Sequence, residues 1–403
     1  MEALKYSPKE YAQCYRISFD FLQKFNVRYL EDDKPLWKKY WRYLFIVPAV
    51  LIHICALSVR MAVMLKQDEM FEVAAMLPPF LVSVQSTVLI PQTSEVSQFI
   101  SELGGLWRTE FTKSQSEAKN AQLGRLNVCN KATYFVTVYG SFQYLLSPLL
   151  ETLVRRFILQ QDCELLLPIA SSYPFDPTKN WVIYILVYFF QHYTMFLLIV
   201  FYMGSELIMI TSCALLGTEF LMLQDDLTQI KPQPSKKVNP IENDNENDGP
   251  TIKQFVMRHQ KLIGLSRQLD NVFNRMIFIN LLFVGITTCA FSFAGKFARG
   301  PIYVLNNYVA VGASMLTVFF LCYYGEILTG ASANIGDVAY TNQWYNGNKQ
   351  YKVAVWLIIK ISQNPCCVTS LKYAVVSLNM FSKVMSTTWS YFSLMKSTVY
   401  SEE

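Results

Sequence analysis

Seven apolar runs of about 19–25 residues divide the 403-residue chain: Tyr43–Leu65, Val73–Pro91, Ala132–Leu150, Trp181–Ser205, Met276–Gly295, Pro301–Gly325 and Tyr373–Met395. As helices, runs of that length match a hydrocarbon core about 30 Å thick. Runs two to six contain no Asp, Glu, Lys or Arg. Backbone surrounded by lipid must satisfy its own hydrogen bonds, so the runs predict an all-α membrane protein with seven transmembrane helices. The composition fits: 52% of residues are hydrophobic, 15% aromatic and only 16% charged, values that suit several spans rather than one soluble core. A net charge of +5, spread along the chain, marks no nucleic-acid partner. No apolar stretch precedes Tyr43, so no cleavable leader is expected.

The seventh run is the polar one. On a helical wheel Asn379, Lys383, Thr387, Ser390, Leu394 and Ser397 fall within one arc, with Phe381, Met385, Phe392 and Val399 opposite. A span facing only lipid gains nothing from polar groups. The stripe therefore either lines water or bonds to neighbouring helices. Lys383 favours a cavity or pore, because a cation well inside a span faces water or a partner.

Sidedness follows from the basic residues. The N-terminal region and the loops 92–131, 206–275 and 326–372 carry 26 Lys and Arg, against 7 on the other side. Per residue the two sides are similar, so the flanks of the first span decide. Arg28, Lys34, Lys38, Lys39 and Arg42 precede it, whereas Lys66 follows among Asp68, Glu69 and Glu72. The expected orientation is N-terminus cytoplasmic and C-terminus extracellular. Only Cys163 then lies in an outer loop, and no disulfide between outer loops is expected.

The cytoplasmic side is expected to be helical. Tyr15, Phe19, Leu22 and Phe25 recur at helical spacing, Phe255–Phe273 extends the fifth span, and Tyr351–Ile361 reads as a further helix. Trp37–Arg42 reads as an interfacial anchor. Lys231–Pro250 is Pro-rich and acidic, and reads as disordered.

Enzyme motifs are absent: no GxSxG, GxGxxG or HExxH occurs. The nine cysteines show no CxxC spacing, and His53, His192 and His259 lie far apart, so no metal or cofactor is expected. Asn364-Pro365-Cys366-Cys367 does not fit the Asn-Pro-x-x-Tyr of G-protein-coupled receptors, whose orientation is also the reverse.

Gly330-Ala-Ser-Ala-Asn334-Ile-Gly336-Asp337-Val-Ala339-Tyr340-Thr-Asn-Gln-Trp344-Tyr345 resembles the signature that insect odorant receptors carry before their last membrane helix. The seventh run, with Ser377-Leu378, Phe381, Val384 and Tyr391-Phe392, is similar to that family's pore helix. The second inner loop is shorter than in the family's co-receptor, Orco, so the chain resembles a ligand-tuned subunit. In the gustatory branch Thr-Tyr precedes Gln-Phe, and no Gln-Phe follows Ser390-Tyr391 here.

The resemblance implies an odorant-specific subunit of a heteromeric, odorant-gated, non-selective cation channel in the dendritic membrane of olfactory neurons. Its partners would be Orco subunits in a heterotetramer, a small volatile hydrophobic or aromatic ligand, and membrane lipid. The runner-up is a heptahelical chemoreceptor, gustatory-like or G-protein-coupled, or a carrier without its own pore. The implied division is 1–42, cytoplasmic; 43–217, spans one to four with the ligand site; 218–275, a cytoplasmic loop and helix; 276–325, spans five and six; 326–372, an anchor segment; and 373–399, the pore helix. The implied pocket draws on spans two, three, four and six: Met76, Phe80, Thr137, Gly140, Tyr144, Tyr188, His192, Met195, Ile199 and Tyr308. The implied pore residues are Lys383, Thr387, Ser390, Tyr391, Leu394, Ser397 and Thr398. Leu394 and Thr398 match the family's apolar gate, where Thr398 departs from a branched apolar residue.

Overall fold

The computed structural model describes residues 4, 7–24, 43–66, 76, 80, 93–110, 112–158, 160, 165–169, 171–232, 251–297 and 301–401. The expected interfacial anchor at 37–42, Cys163, and residues 233–250 of the expected disordered loop lie outside them, as does the second span apart from Met76 and Phe80.

Nine helices are described: α1 Lys9–Lys24, α2 Tyr43–Lys66, α3 Thr93–Leu106, α4 Lys113–Leu153, α5 Trp181–Gln229, α6 Ile252–Phe297, α7 Pro301–Thr341, α8 Lys349–Ser362 and α9 Leu378–Ser401. The 49 residues of α5 give a rod about 73 Å long, more than twice a hydrocarbon core. The 46 residues of α6 and 41 of α7 likewise overshoot. Each of these helices therefore builds both a membrane layer and a base beyond it, and Phe255–Phe273 does continue the fifth span as one helix. Four described helices are long and apolar enough to cross a membrane: Pro48–Lys66 and the bodies of α5, α6 and α7. Helices α4 and α9 complete the described bundle with more polar faces.

The base holds the main core. Tyr11, Tyr15 and Phe19 of α1 pack with Phe99 and Leu103 of α3, Leu126 of α4, Phe220 and Leu223 of α5, Leu262 and Leu269 of α6, Leu328 and Ile335 of α7, and Val355 and Ile358 of α8. Every residue of α5 from Met203 to Phe220 is buried. Charges cross-link the same region. Asp226 of α5 takes Arg108 Nη1 at 2.6 Å and Gln115 Nε2 at 3.0 Å. Glu219 takes Arg258 Nη2 of α6 at 2.6 Å. Lys119 of α4 meets Glu10 of α1 at 2.6 Å and lies over the Trp107 ring. Removing one partner of such a buried pair strands the other charge, so the network specifies how five segments meet. Burial between Phe220 and Phe255 lowers the His259 pKa to about 4, and burial, with Glu10 beside it, pushes the Cys14 thiol up to about 12. Both groups are neutral at physiological pH.

The stretch 330–345 helps to pack the base. Ser332 Oγ accepts from Cys366 N at 2.8 Å, and Asn342 Nδ2 donates to the Leu227 and Ile230 carbonyls at the end of α5. A Cβ on Gly336 would come within 3.0 Å of Ser362, so only glycine lets α7 and α8 approach this closely.

The last helix begins later than the seventh run suggests. Thr369–Ser370 and Ala374–Val375 form an antiparallel hairpin, so residues 373–377 are not helical. Leu371 and Lys372 at its turn hold positive φ of 49° and 62°. Ser377 then caps α9 through Met380 N, and Glu326 of α7 accepts from Leu378 N at 2.7 Å. A carboxylate at a helix N-terminus is electrostatically favoured. Asp270 of α6 accepts from Thr369 N and Oγ1. The hairpin is thus fastened to α6 and the start of α9 to α7.

Candidate functional site

Above the base, α4, α5, α6 and α7 enclose a cavity of about 160 Å³. Each helix contributes one face. Val136, Thr137, Gly140, Ser141 and Tyr144 come from α4, and Met195, Ile199, Tyr202 and Met203 from α5. Phe283, Val284, Thr287 and Phe291 come from α6, and Asn306, Val309, Ala310, Ala313, Ser314 and Thr317 from α7. These are the i, i+3, i+4, i+7 positions that share a helix face. The space exists because small residues stand where larger ones would fill it: Gly140 and Ser141 on α4, Ala310 and Ala313 on α7. A Cβ on Gly140 would already lie 3.1 Å from Val309 Cγ1. A dry apolar cavity on the order of 150 Å³ accommodates a molecule the size of benzene, so this one suits a small organic ligand.

The structure brings together Thr137, Gly140, Tyr144, Met195 and Ile199 of the ten residues expected in the pocket. The other five stand elsewhere among the described residues. Tyr188 lies two turns before Met195, where it packs on Leu165 and Tyr184 and donates to the Leu145 carbonyl. His192 stacks on Phe196 beside Phe142, away from the lining. Tyr308 is half exposed. Asn306, two positions earlier and about 200° around the helix, takes the lining place. Met76 is buried outside the lining, and Phe80 packs with Val50, Leu57 and Leu145 in the cluster that includes Met195. Among the described residues, the fifth span adds the α6 wall to those of the third, fourth and sixth. Phe283, Thr287 and Phe291, four apart, are its sequence trace.

The second feature is α9. Its inner face leans on α6 and α7: Phe381 meets Phe319 edge-on at 5.6 Å, Cys289 Sγ reaches Met395 Sδ at 3.4 Å, and the buried Thr388 faces Gly285. The opposite arc is open. Asn379, Lys383, Thr387, Ser390, Tyr391, Leu394 and Ser397 are all exposed, Leu394 at 62%. Ser390 and Ser397 donate to the Ser386 and Leu394 carbonyls, so their hydrogens satisfy the helix while their lone pairs face outward. Thr398 lies on the same helix, within its last turn. The polar stripe therefore has no covering element among the described residues of this chain.

The base shows a second open surface. Val353, Trp356, Leu357 and Ile361 of α8 are exposed, while Tyr351, Val355 and Ile358 are buried against the core. Among the described residues no group of three His, Cys, Asp or Glu could hold a metal ion.

A family model described as the 7tm odorant receptor matches residues 49–389. Odorant receptor 67c of Drosophila melanogaster is 23% identical over 227 residues, covering 56% of this chain and 54% of that protein. The odorant receptor coreceptor of the same species is 24% identical over 146 residues, covering 36% of this chain and 30% of that protein. The chain thus spans about half the length, or less, of these curated relatives. The olfactory receptor OR5 of Machilis hrabei has a similar fold, with a TM-score of 0.78 at 14% identity over 95% of this chain and 97% of that one. Its complex with eugenol gives 0.79 over 96% and 98%, at the same identity.

Proposed function

The chain belongs to the 7tm odorant receptor family, and on that premise we propose that it is the ligand-tuned subunit of an odorant-gated, non-selective cation channel. It sits in the membrane of olfactory neurons with its N-terminus cytoplasmic, and it assembles with co-receptor subunits as a heterotetramer. The observation that carries this reading is the pairing of a cavity between four helices with an open polar stripe. The cavity is walled by four helices of a single chain, as a ligand site within a subunit requires. The stripe on α9 has the chemistry of a water-lining face and is exposed among the described residues, as a pore built between subunits requires.

In this reading Thr137, Gly140, Tyr144, Met195 and Ile199 contact the ligand, joined by the α6 and α7 walls. A small volatile compound is held there mainly by apolar contact, as befits a site of this size; the related OR5 of Machilis hrabei was solved with eugenol. Lys383, Thr387, Ser390 and Ser397 line the conduction path, and Leu394 and Thr398 form its narrow end. Residues 326–372, with the exposed face of α8, anchor neighbouring subunits. Movement of α7 around a ligand reaches α9 through Glu326 and Phe319, which hold its first turn, and movement of α6 reaches the hairpin before it through Asp270.

The test is recording from cells that express this chain alone and with the co-receptor, under a panel of volatiles and with G-protein signalling blocked. The expected result is ligand-evoked cation current only in the co-expressing cells and unaffected by the block. Ligand responses that vanish when G-protein signalling is blocked would overturn the channel reading in favour of a heptahelical receptor without a pore.

A further inference from the structure

The polar atoms of the cavity are unequally spent. Ser141 donates to the Thr137 carbonyl at 2.6 Å, Thr287 to Val284 at 3.2 Å, Ser314 to Val311 at 2.9 Å and Thr317 to Ser314 at 2.8 Å. Tyr202 donates to Asn280 Oδ1 at 2.9 Å. A hydroxyl has one hydrogen, so each of these groups offers a ligand only lone pairs. Thr137 and Tyr144 are the lining hydroxyls outside this pattern.

Asn306 carries the asymmetry furthest. It lines the cavity from α7 and is 5% exposed. Its Nδ2 donates to Ser147 Oγ on α4 at 2.6 Å. The Ser147 hydrogen is directed to the Tyr144 carbonyl at 3.3 Å, so its oxygen can only accept from Asn306. That orders the amide: the NH2 group faces Ser147, and the oxygen faces away from it. Asn306 Oδ1 is buried and has no partner. Buried acceptors in folded proteins are almost always satisfied, so this one, on a residue of the cavity wall, calls for a donor from outside the protein, a water or a ligand.

Resting on the reading of this cavity as the ligand site, we infer that it selects a small, largely apolar molecule carrying one hydrogen-bond donor, an alcohol or a phenol, whose hydroxyl bonds to Asn306 Oδ1. Ethers, esters and ketones of the same skeleton bring only acceptors to an acceptor-rich wall. Ser147 is a positioning residue, which keeps the amide oxygen toward the ligand.

The experiment uses matched pairs, a phenol and a medium-chain alcohol each with its methyl ether, on cells expressing the full chain with the co-receptor. The readout is the ratio of half-maximal concentrations within a pair. The expected ratio favours the alcohol by about tenfold or more, the scale of one buried neutral hydrogen bond. Asn306→Leu should bring the ratio close to one. Ser147→Ala, which fills no space and frees the amide to turn, should narrow it as well. Ethers as potent as their alcohols on the unaltered receptor would overturn the inference and leave the receptor reading intact. An undiminished ratio in both variants would also overturn it and move the donor's partner to Thr137 or Tyr144. Current from no member of either set would remove the receptor reading itself.

Discussion

The cavity and the stripe of α9 are both polar interruptions of an apolar bundle, and they differ in what completes them. Around the cavity, polar side chains from four helices turn toward one another, and a single chain supplies every wall. Along α9 the polar side chains of the arc turn outward, while Phe381, Thr388 and Met395 turn inward. On the proposed reading, recognition is a property of the subunit and conduction a property of the assembly. That reading expects sequence change at the cavity to alter which ligand is sensed without rebuilding the pore, and change on the stripe to alter a wall shared with other chains.

The comparison breaks first at two tyrosines. Tyr144→Ala removes a cavity wall, and a lost buried aromatic contact costs on the order of 1.4 kcal/mol or more, which is at least about tenfold in ligand potency. Tyr308→Ala alters a half-exposed ring outside the lining and should change potency by less than about twofold. Dose–response curves at matched surface expression decide it. Equal shifts for the two variants would place the ligand elsewhere.

A smaller effect sharpens the other side. Lys383 is exposed on the stripe, about 1.5 turns into α9. If that arc lines a cation path, its charge opposes cation entry, most strongly at low salt. Lys383→Gln should raise single-channel conductance modestly, on the order of 1.5-fold, and Lys383→Glu further, with little movement in ligand potency. Unchanged conductance combined with altered surface expression would instead make Lys383 an interfacial anchor.

These contrasts were unevenly legible in the sequence. The bundle was legible because apolar runs of membrane length have few other folds, and the base helices because Tyr15 and Phe19 keep a 3.6-residue period. Gly140 and Tyr144, four apart and so on one face of α4, came from the family resemblance. The α6 wall did not, because a span apolar on every side carries no periodicity to say which face looks inward. Tyr308 drew attention by residue type, yet helical phase gives the lining place to Asn306. The hairpin at 369–375 straddles the start of the seventh run, whose apolar Tyr373–Val376 reads as its first turn, although Ser377, a favoured N-cap residue, marks where α9 begins.

The central claim, that the outward arc of α9 lines the conduction path of an assembly, is tested most directly by cysteine scanning. Thr387, Ser390 and Ser397 on the arc, and Thr388 one position off it, are replaced singly by Cys in the co-expressed channel. A charged thiol reagent is then applied during ligand-evoked current, with the unaltered chain and its own nine cysteines as baseline. The account predicts rapid block at Thr387→Cys, Ser390→Cys and Ser397→Cys, and none beyond baseline at Thr388→Cys, which faces Gly285. Block at Thr388→Cys with the three arc positions silent would contradict it.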